Sequence, residues 1–224
     1  MAEIAGREFW VGPDVLIPRV ETEKLCQLVA WWGQKVFRVD SKNSANLAKF
    51  PARVEIFEVG CGSGAVSVTL AKMLPGVQIV GSDISRAALA IAEQNVATHQ
   101  VGAQVRLTQS DLLAGMDFAA FPPADEFGIV ANLPYIPTKD YLALETSVRE
   151  FEPRLALDGG ADGFDLIRRL LAQASSLARL PRAIFLEVDP SHDLSFVSEF
   201  DQFAWRQERD INGLARYLIG ESVL

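Results

Sequence analysis

A glycine-rich turn between a short apolar strand and a helix is the feature that most limits what this chain can fold into. The segment Glu58-Val59-Gly60-Cys61-Gly62-Ser63-Gly64 ends an apolar stretch, and a helix is predicted from about Ala65 to Leu74. Glycines allow a sharp turn and a close approach of the backbone to a ligand, and the following helix offers free N–H groups. This order of elements is typical of α/β domains with a nucleotide-type site.

Strand and helix patterns alternate through the rest of the chain. Apolar stretches predict strands at 54–59, 78–83, 104–111, 127–132, 182–189, 203–210 and 214–220. Helical patterns cover 65–74, 85–100, 138–149, 162–178 and 192–200. Such alternation predicts a mostly parallel sheet with helices on both faces. The turn Ile211-Asn212-Gly213 predicts an antiparallel hairpin at the C-terminal end, so the fold class is α/β with a mixed, seven-stranded sheet.

The first 38 residues are expected to form a β-hairpin and a helix that pack on a catalytic domain spanning 39–224. Residues 9–17 read as two short extended pieces around the turn Gly12-Pro13-Asp14. Apolar spacing predicts a helix from Glu21 to Phe37. The polar stretch 39–52 reads as a surface connection.

Composition narrows the class of protein. A chain of 224 residues, of which 49% are hydrophobic and 22% charged, fits one large α/β domain. No apolar run approaches the ~20 residues of a membrane helix, and the start MAEIAGREFW is not a secretory signal. Two cysteines and two histidines predict neither a disulfide framework nor a metal site. We therefore expect a cytoplasmic protein, and the net charge of −8 favours a protein or small-molecule substrate over a phosphate backbone.

Two carboxylates at strand ends accompany the glycine turn. Asp83 ends the second strand, where a carboxylate can accept hydrogen bonds from both ribose hydroxyls of a nucleoside. Asp111 follows the third strand and is placed to meet an adenine amino group. However, Gly60-x-Gly62-x-x-Ala65 also satisfies the Gly/Ala form of the dinucleotide fingerprint. An NAD-dependent oxidoreductase and a tight turn without a ligand therefore stay open at this point.

The segment Asn132-Leu133-Pro134-Tyr135 follows the fourth strand and favours methyl transfer over hydride transfer. The lone pair of an amide nitrogen is delocalised, so the nitrogen must be held in line with the methyl group. The Asn132 side-chain oxygen and the Leu133 carbonyl can accept its N–H bonds, and Pro134 biases Leu133 towards extended geometry. Tyr135 can pack on the flat face of the target group. The alternative is a turn after a buried strand, with asparagine as a turn former.

Taken in order, Glu58–Gly64, Asp83, Asp111 and Asn132–Tyr135 resemble the motifs of class I S-adenosylmethionine-dependent methyltransferases. More specifically, the chain resembles the HemK/PrmC-type release-factor glutamine methyltransferases. Three further stretches support this resemblance: PDVLIPRVETEKL (13–25), FEPRLALDGGADGFDLIRRLL (151–171) and RDINGLARYLIG (209–220). It implies a Rossmann-like methyltransferase fold and S-adenosylmethionine as the cofactor.

The resemblance also implies a role for each motif. The cofactor site would comprise Glu58, Gly60, Cys61, Gly62, Ser63, Gly64, Asp83, Asp111, Leu112 and Asn132. Within it, the glycine turn would contact the methionine part and the ribose, Asp83 the ribose hydroxyls, and Leu112 the adenine. Asn132, Leu133, Pro134 and Tyr135 would hold the acceptor glutamine, and the Pro-Arg-Val-Glu-Thr loop would close nearby. The usual target of the family is the glutamine of a Gly-Gly-Gln sequence in a peptide chain release factor.

The chain departs from the family pattern in several places. Leu133 and Val20 stand where the family usually has proline, and Leu112 stands where an aromatic residue is common. The family's helical N-terminal domain has no counterpart in this sequence, so we expect a trimmed catalytic domain or a short relative with another substrate. Asn-Leu-Pro-Tyr also resembles the adenine dimethyltransferases of ribosomal RNA. Methylation of an exocyclic adenine amino group in RNA or DNA therefore stays an alternative, as does a non-catalytic nucleotide-binding module.

Overall fold

The computed structural model describes residues 1–37, 54–116, 126–191 and 193–223. Its strands within these ranges are β1 (Ala2–Ile4), β2 (Arg7–Phe9), β3 (Val54–Val59), β4 (Gln78–Asp83), β5 (Val105–Gln109), β6 (Glu126–Ala131), β7 (Ala183–Glu187), β8 (Phe203–Arg209) and β9 (Ala215–Ser222). Its α-helices are α1 (Val20–Phe37), α2 (Ala65–Met73), α3 (Arg86–Thr98), α4 (Thr146–Phe151) and α5 (Asp165–Ser175). The connection predicted at 39–52 lies outside the described residues.

Seven of the strands form one mixed sheet in the order β5-β4-β3-β6-β7-β9-β8. The first five in this order run parallel, and β9 is antiparallel to both β7 and β8. The strand order reverses at β3, which lies between β4 and β6. Ligands of open α/β sheets bind beyond the carboxyl ends of the strands at such a reversal. The predicted α/β class and the C-terminal hairpin are confirmed.

The hydrophobic core covers both faces of the sheet. Consecutive residues of β3, Ile56 and Phe57, are both buried but belong to separate clusters on opposite faces. Helices α1 and α2 pack on the face of Ile56, and α5 packs on the face of Phe57. Burial on both faces explains why the central strands read as nearly continuous apolar runs.

The N-terminal hairpin lies earlier in the chain than predicted. Strands β1 and β2 pair through a two-residue turn in which Ala5 and Gly6 have φ of 49° and 69°. Positive φ at both central residues is what a tight hairpin turn needs. The predicted extended pieces at 9–17 are therefore wrong, because residues 10–19 contain no strand and Pro13 has no N–H to donate to a ladder.

Helix α1 forms part of the core. Trp32 lies against the sheet where Gly128 leaves room for it, since a Cβ on Gly128 would come within 2.9 Å of the indole ring. The same indole makes an edge contact with Phe185, with 5.7 Å between ring centroids. The predicted domain boundary at 38–39 stays a prediction, because these residues lie outside the described ranges.

One predicted helix is replaced by shorter elements. The stretch 138–149 contains a 3₁₀ turn at Tyr141–Ala143 and only the beginning of α4. Tertiary hydrogen bonds engage the backbone just before and at the start of this stretch, since Ile136 N donates to Leu157 O at 3.0 Å and Thr138 N donates to Gly160 O at 2.8 Å. The predicted helix at 192–200 is likewise a 3₁₀ turn at Ser195–Glu199. None of the described helices combines the length and apolar character that crossing a membrane requires.

Candidate active site

The loop after β3 turns through three glycines in the left-handed region. Gly60, Gly62 and Gly64 have φ of 72°, 51° and 74°, values that side chains rarely tolerate. Cys61 closes the turn, because its N–H donates to Ser82 O at 2.8 Å and its carbonyl accepts from Gly64 N at 2.7 Å. The glycines therefore serve the backbone geometry that the sequence pattern predicts.

The glycine loop and the segment Asn132–Tyr135 are in direct contact. A Cβ on Gly60 would lie only 2.9 Å from Leu133 Cδ2. Leu133 itself is buried, and it lies where the neighbouring parallel strands β3 and β6 end. The fold thus brings together the two motifs that the sequence places about 70 residues apart.

Asp83 at the end of β4 faces the glycine loop. Its Oδ2 accepts from Gly62 N at 2.9 Å, and its Oδ1 accepts from Ser85 N at 2.9 Å. A carboxylate oxygen can accept two hydrogen bonds, so each oxygen keeps capacity for a hydroxyl. This arrangement suits the predicted contact with a pair of ribose hydroxyls.

Glu58 is a buried carboxyl below the loop. It accepts from Ser67 N at 2.8 Å and from the Ser67 hydroxyl at the start of α2. Burial raises the pKa of Glu58 to about 8, although the Ser67 hydrogen bonds act in the opposite direction. At neutral pH this side chain therefore carries a proton for most of the time and can both donate and accept.

The opposite end of the site is formed by Asp111 and Leu112 after β5. Asp111 Oδ2 pairs with Arg169 of α5 at 2.6 Å, and both side chains are about half exposed. Leu112 is buried and has a φ of 54°, an uncommon conformation for a residue other than glycine. Such outliers concentrate at ligand sites. Arg169 was not among the predicted site residues.

A single cavity of about 280 Å³ joins these groups. The predicted site residues that line it are Glu58, Gly60, Cys61, Gly62, Ser63, Asp83, Asp111, Leu112, Asn132, Leu133 and Pro134. Gly64 and Tyr135 are not among the lining residues. Gly64 instead packs beside Ala92 of α3, where a Cβ would come within 3.0 Å of the alanine Cβ.

Tyr135 lies beside the cavity rather than in its wall. Burial raises the pKa of Tyr135 to about 12, with Glu187 and Arg216 as its strongest charged neighbours. The phenol is therefore neutral at physiological pH. Its predicted role of packing on the acceptor group stays a prediction.

Asn132 is held by a residue of α1. Its Nδ2 donates to Thr22 Oγ1 at 3.4 Å, and the Thr22 hydroxyl donates to Glu187 Oε2 at 3.3 Å. Thr22 also lines the cavity. The family resemblance implies that the Pro-Arg-Val-Glu-Thr loop closes near the site, but Thr22 was not among the predicted site residues. The signal that could have found it is a polar residue on the apolar face of a helix.

Two segments cover the cavity from the side. The N-terminal strap (residues 13–19) and the loop 152–156 both contribute lining residues. Glu152, which is buried, joins them by accepting from Ile17 N at 3.3 Å and from the Arg19 guanidinium. The family resemblance of 151–171 pointed to this stretch, but periodicity gave no reason to select Glu152.

Asn95 of α3 ties the loop to the N-terminal segment. This fully buried side chain donates to Ser63 O at 2.8 Å and exchanges hydrogen bonds with the backbone N and O of Trp10. It was not predicted as a site residue. A buried asparagine requires partners, so an amide on an otherwise apolar helix face was the available signal.

Comparison with known proteins agrees with this geometry. A family model described as a methyltransferase domain matches residues 56–153. Among solved structures, the catalytic domain of human METTL16 in complex with a MAT2A 3′UTR hairpin superposes with a TM-score of 0.67. The alignment covers 96% of this chain and 75% of that chain at 12% identity, so it shows the shared fold alone.

Two curated relatives are closer in sequence. The release factor glutamine methyltransferase of Geobacter sulfurreducens is 38% identical over 172 residues, which are 77% of this chain and 52% of that protein. That of Koribacter versatilis is 34% identical over 224 residues, with 97% and 71% covered. The chain thus spans about half of the length of the Geobacter protein and 71% of the length of the Koribacter protein. On this likeness, the chain belongs to the family of release factor glutamine methyltransferases.

Proposed function

We propose that this chain transfers the methyl group of S-adenosylmethionine to the side-chain amide nitrogen of a glutamine in a peptide chain release factor. The observation that carries the proposal is the shared cavity, in which Asn132 and Leu133 stand beside the glycine loop and Asp83. A family relationship over most of the chain supports the choice of acceptor.

The described residues fit a nucleoside cofactor. The volume of the cavity, about 280 Å³, lies near the lower end of the range for small-molecule sites, which starts at roughly 300 Å³. Asp83 offers free acceptor capacity for ribose, and Leu112 supplies apolar surface for a base. When bound, S-adenosylmethionine supplies an electrophilic methyl group on a sulfonium.

The acceptor end of the cavity suits a planar amide. Asn132 Oδ1 and the Leu133 carbonyl can accept the two N–H bonds of a glutamine side chain and so fix its plane. Alignment of this kind can contribute ~7–11 kcal/mol in favourable cases. Transfer would break the methyl–sulfur bond and form the nitrogen–methyl bond. The two carbonyl dipoles would stabilise the positive charge that develops on the nitrogen, and one N–H proton would then be released to water.

A labelling assay tests the proposed substrate class. The chain is incubated with S-adenosylmethionine labelled in the methyl group and with a release factor that contains Gly-Gly-Gln. We expect label on that glutamine and none on a release factor in which it is replaced by alanine. Label on ribosomal RNA or DNA with none on the release factor would overturn the proposal.

The variant Asn132→Ala tests the acceptor site separately from the cofactor site. Since the side-chain oxygen acts on the acceptor, we expect turnover to fall on the order of 100-fold or more, with cofactor affinity retained in calorimetry. Asn212→Ala, at the exposed tip of the C-terminal hairpin, is the matched control and should behave like the wild type. Full turnover by Asn132→Ala would refute its role.

A further inference from the structure

Two buried polar side chains stand behind Asn132. Thr22 is 4% exposed and Glu187, at the end of β7, is 1% exposed. The Thr22 hydroxyl donates to Glu187 Oε2 at 3.3 Å and accepts from Asn132 Nδ2 at 3.4 Å. Buried polar groups are costly unless they are hydrogen-bonded, so this chain of contacts needs an explanation beyond packing.

The order of these hydrogen bonds fixes the polarity of the Asn132 amide. A hydroxyl has a single proton to donate. An ionised Glu187 can only accept, so the Thr22 proton points to Glu187 and the Thr22 lone pairs face Asn132. Only the NH₂ end of the amide can then face Thr22, and Oδ1 must point the other way.

We infer that Thr22 and Glu187 are positioning residues that lock the Asn132 amide with its oxygen towards the acceptor. The inference rests on the proposed function, which gives that oxygen the task of binding the glutamine N–H. Asn132 Oδ1 has no hydrogen-bond partner in the part of the chain that the structure describes. In a reversed amide, the Asn132 NH₂ group would face the NH₂ group of the substrate glutamine, and both are hydrogen-bond donors. The glutamine nitrogen that receives the methyl group would then lose its alignment.

Titratable and charged groups face Glu187 from each element packed around it. They are Arg19 before α1, Glu21 and Cys26 of α1, Tyr135 after β6, and Arg216 and Tyr217 of β9. Burial raises the pKa of Glu187 to about 7, while Arg216 and the Thr22 hydrogen bond act in the opposite direction.

Ionisation of Glu187 therefore controls how firmly the amide is locked. A protonated Glu187 can donate to Thr22, which frees the Thr22 proton to reach Asn132 and allows the reversed amide. An ionised Glu187 removes that option. Turnover should consequently rise with pH through the Glu187 pKa of about 7.

The variant Thr22→Val removes the hydroxyl at nearly constant volume. We expect kcat to fall about 100-fold, as misalignment of a reacting group does, with the cofactor Kd unchanged. Thr22→Ser retains the hydroxyl and should rescue most of the activity. Thr69→Val is the matched control, because the buried Thr69 hydroxyl has no hydrogen-bond partner among the described residues. Equal kcat in Thr22→Val and wild type would overturn the inference.

The pH profile separates positioning from packing. The wild type and Thr69→Val should share a kcat that rises around pH 7, whereas Glu187→Gln should lose this rise because its amide cannot ionise. A merely structural role would change stability and leave the shape of the profile alone. A Glu187→Gln profile identical to that of the wild type would contradict the inference.

A spectroscopic readout does not depend on the acceptor. The side-chain amide resonance of Asn132, assigned with Asn132→Asp, is followed by ¹⁵N NMR in the chain alone. We expect it to shift with the titration of Glu187 in the wild type and to stay constant in Thr22→Val. If the wild type labels no release factor, the proposed function fails, and this resonance still decides the inference. A wild-type resonance that ignores pH would overturn it.

Discussion

Buried carboxyl groups set the electrostatics around the cavity. Glu58 and Glu187 are both buried, and burial raises the pKa of each, to about 8 and about 7. Each is held by hydroxyl donors, Ser67 for Glu58 and Thr22 for Glu187. Perturbed carboxyls of this kind concentrate at functional sites; here Glu58 lines the cavity, and Glu187 is connected to it through the Thr22 hydroxyl.

The raised pKa of Glu58 predicts a stability that depends on pH. The carboxyl ionises near pH 4.5 in the unfolded chain and near 8 in the folded one. Between these values the folded state holds the extra proton, so this contribution is complete below about pH 4.5 and is lost as the pH rises to about 8. Glu187 acts with the same sign.

Thermal melting of the cofactor-free chain checks this expectation. The melting temperature of Glu58→Gln should fall less steeply between about pH 5 and 8 than that of the wild type. Between about pH 5 and 8, the wild type should lose on the order of a few kcal/mol more unfolding free energy than Glu58→Gln. Glu93→Gln on the exposed face of α3 is the control and should follow the wild-type curve. Parallel curves for all three proteins would contradict the prediction.

The site residues that belong to motifs could be predicted, whereas those whose role depends on tertiary contact could not. Asp83 and Asn132 stand at strand ends, where topology alone places them at the site. Thr22 and Glu152 come from segments far away in the chain, and only the folded arrangement brings them to Asn132 and Ile17. Tyr135 belongs to the same motif as Asn132 but does not line the cavity, so its role towards the acceptor stays a prediction.

At the scale of elements, the cavity wall depends on the contact between the N-terminal strap and the loop 152–156. Neither segment has regular structure apart from a 3₁₀ turn at Arg154–Ala156. Glu152 joins them through a backbone N–H and an arginine. Hydrophobic periodicity carries no signal for such segments, which explains why strands were predicted well and these loops were not.

Removing the Glu152 carboxylate should loosen this wall. In Glu152→Ala the half-buried Ile17 N–H loses its acceptor, which costs about 1 kcal/mol, the low end of the range for an unsatisfied donor. We expect the Kd for S-adenosylmethionine to rise by about 10-fold, which corresponds to roughly 1.4 kcal/mol. Calorimetric titration measures the change. Glu150→Ala on the exposed side of α4 is the matched control, and equal affinities for both variants would argue against the role of Glu152.

At the scale of the whole molecule, α1 belongs to the same core as the methyltransferase sheet. Trp32 is 4% exposed against Gly128 and Phe185, whereas its neighbour Trp31 is 57% exposed. Helical spacing predicted the helix, but it could not show which sheet residue makes room for the indole. The space for the indole exists because Gly128 has no side chain, and hydrophobic periodicity does not show which glycine lies opposite a given tryptophan.

The two tryptophans provide a paired test of this packing. Trp32→Ala should lower the free energy of unfolding by about 3–5 kcal/mol, as is usual for a buried tryptophan. Trp31→Ala should change it by no more than about 0.5 kcal/mol. Urea denaturation followed by circular dichroism gives both values. Similar losses in the two variants would show that α1 is not anchored through Trp32.

Helix α1 has two roles, and this restricts which substitutions the sequence of this protein can accept. One helix anchors the core through Trp32 and reaches the acceptor site through Thr22. A heritable change that tilts this helix would disturb both tasks at once, whereas the irregular stretch 137–145 can vary without repacking the sheet. Lineages of this protein should therefore accumulate substitutions in that stretch and leave the helix almost untouched.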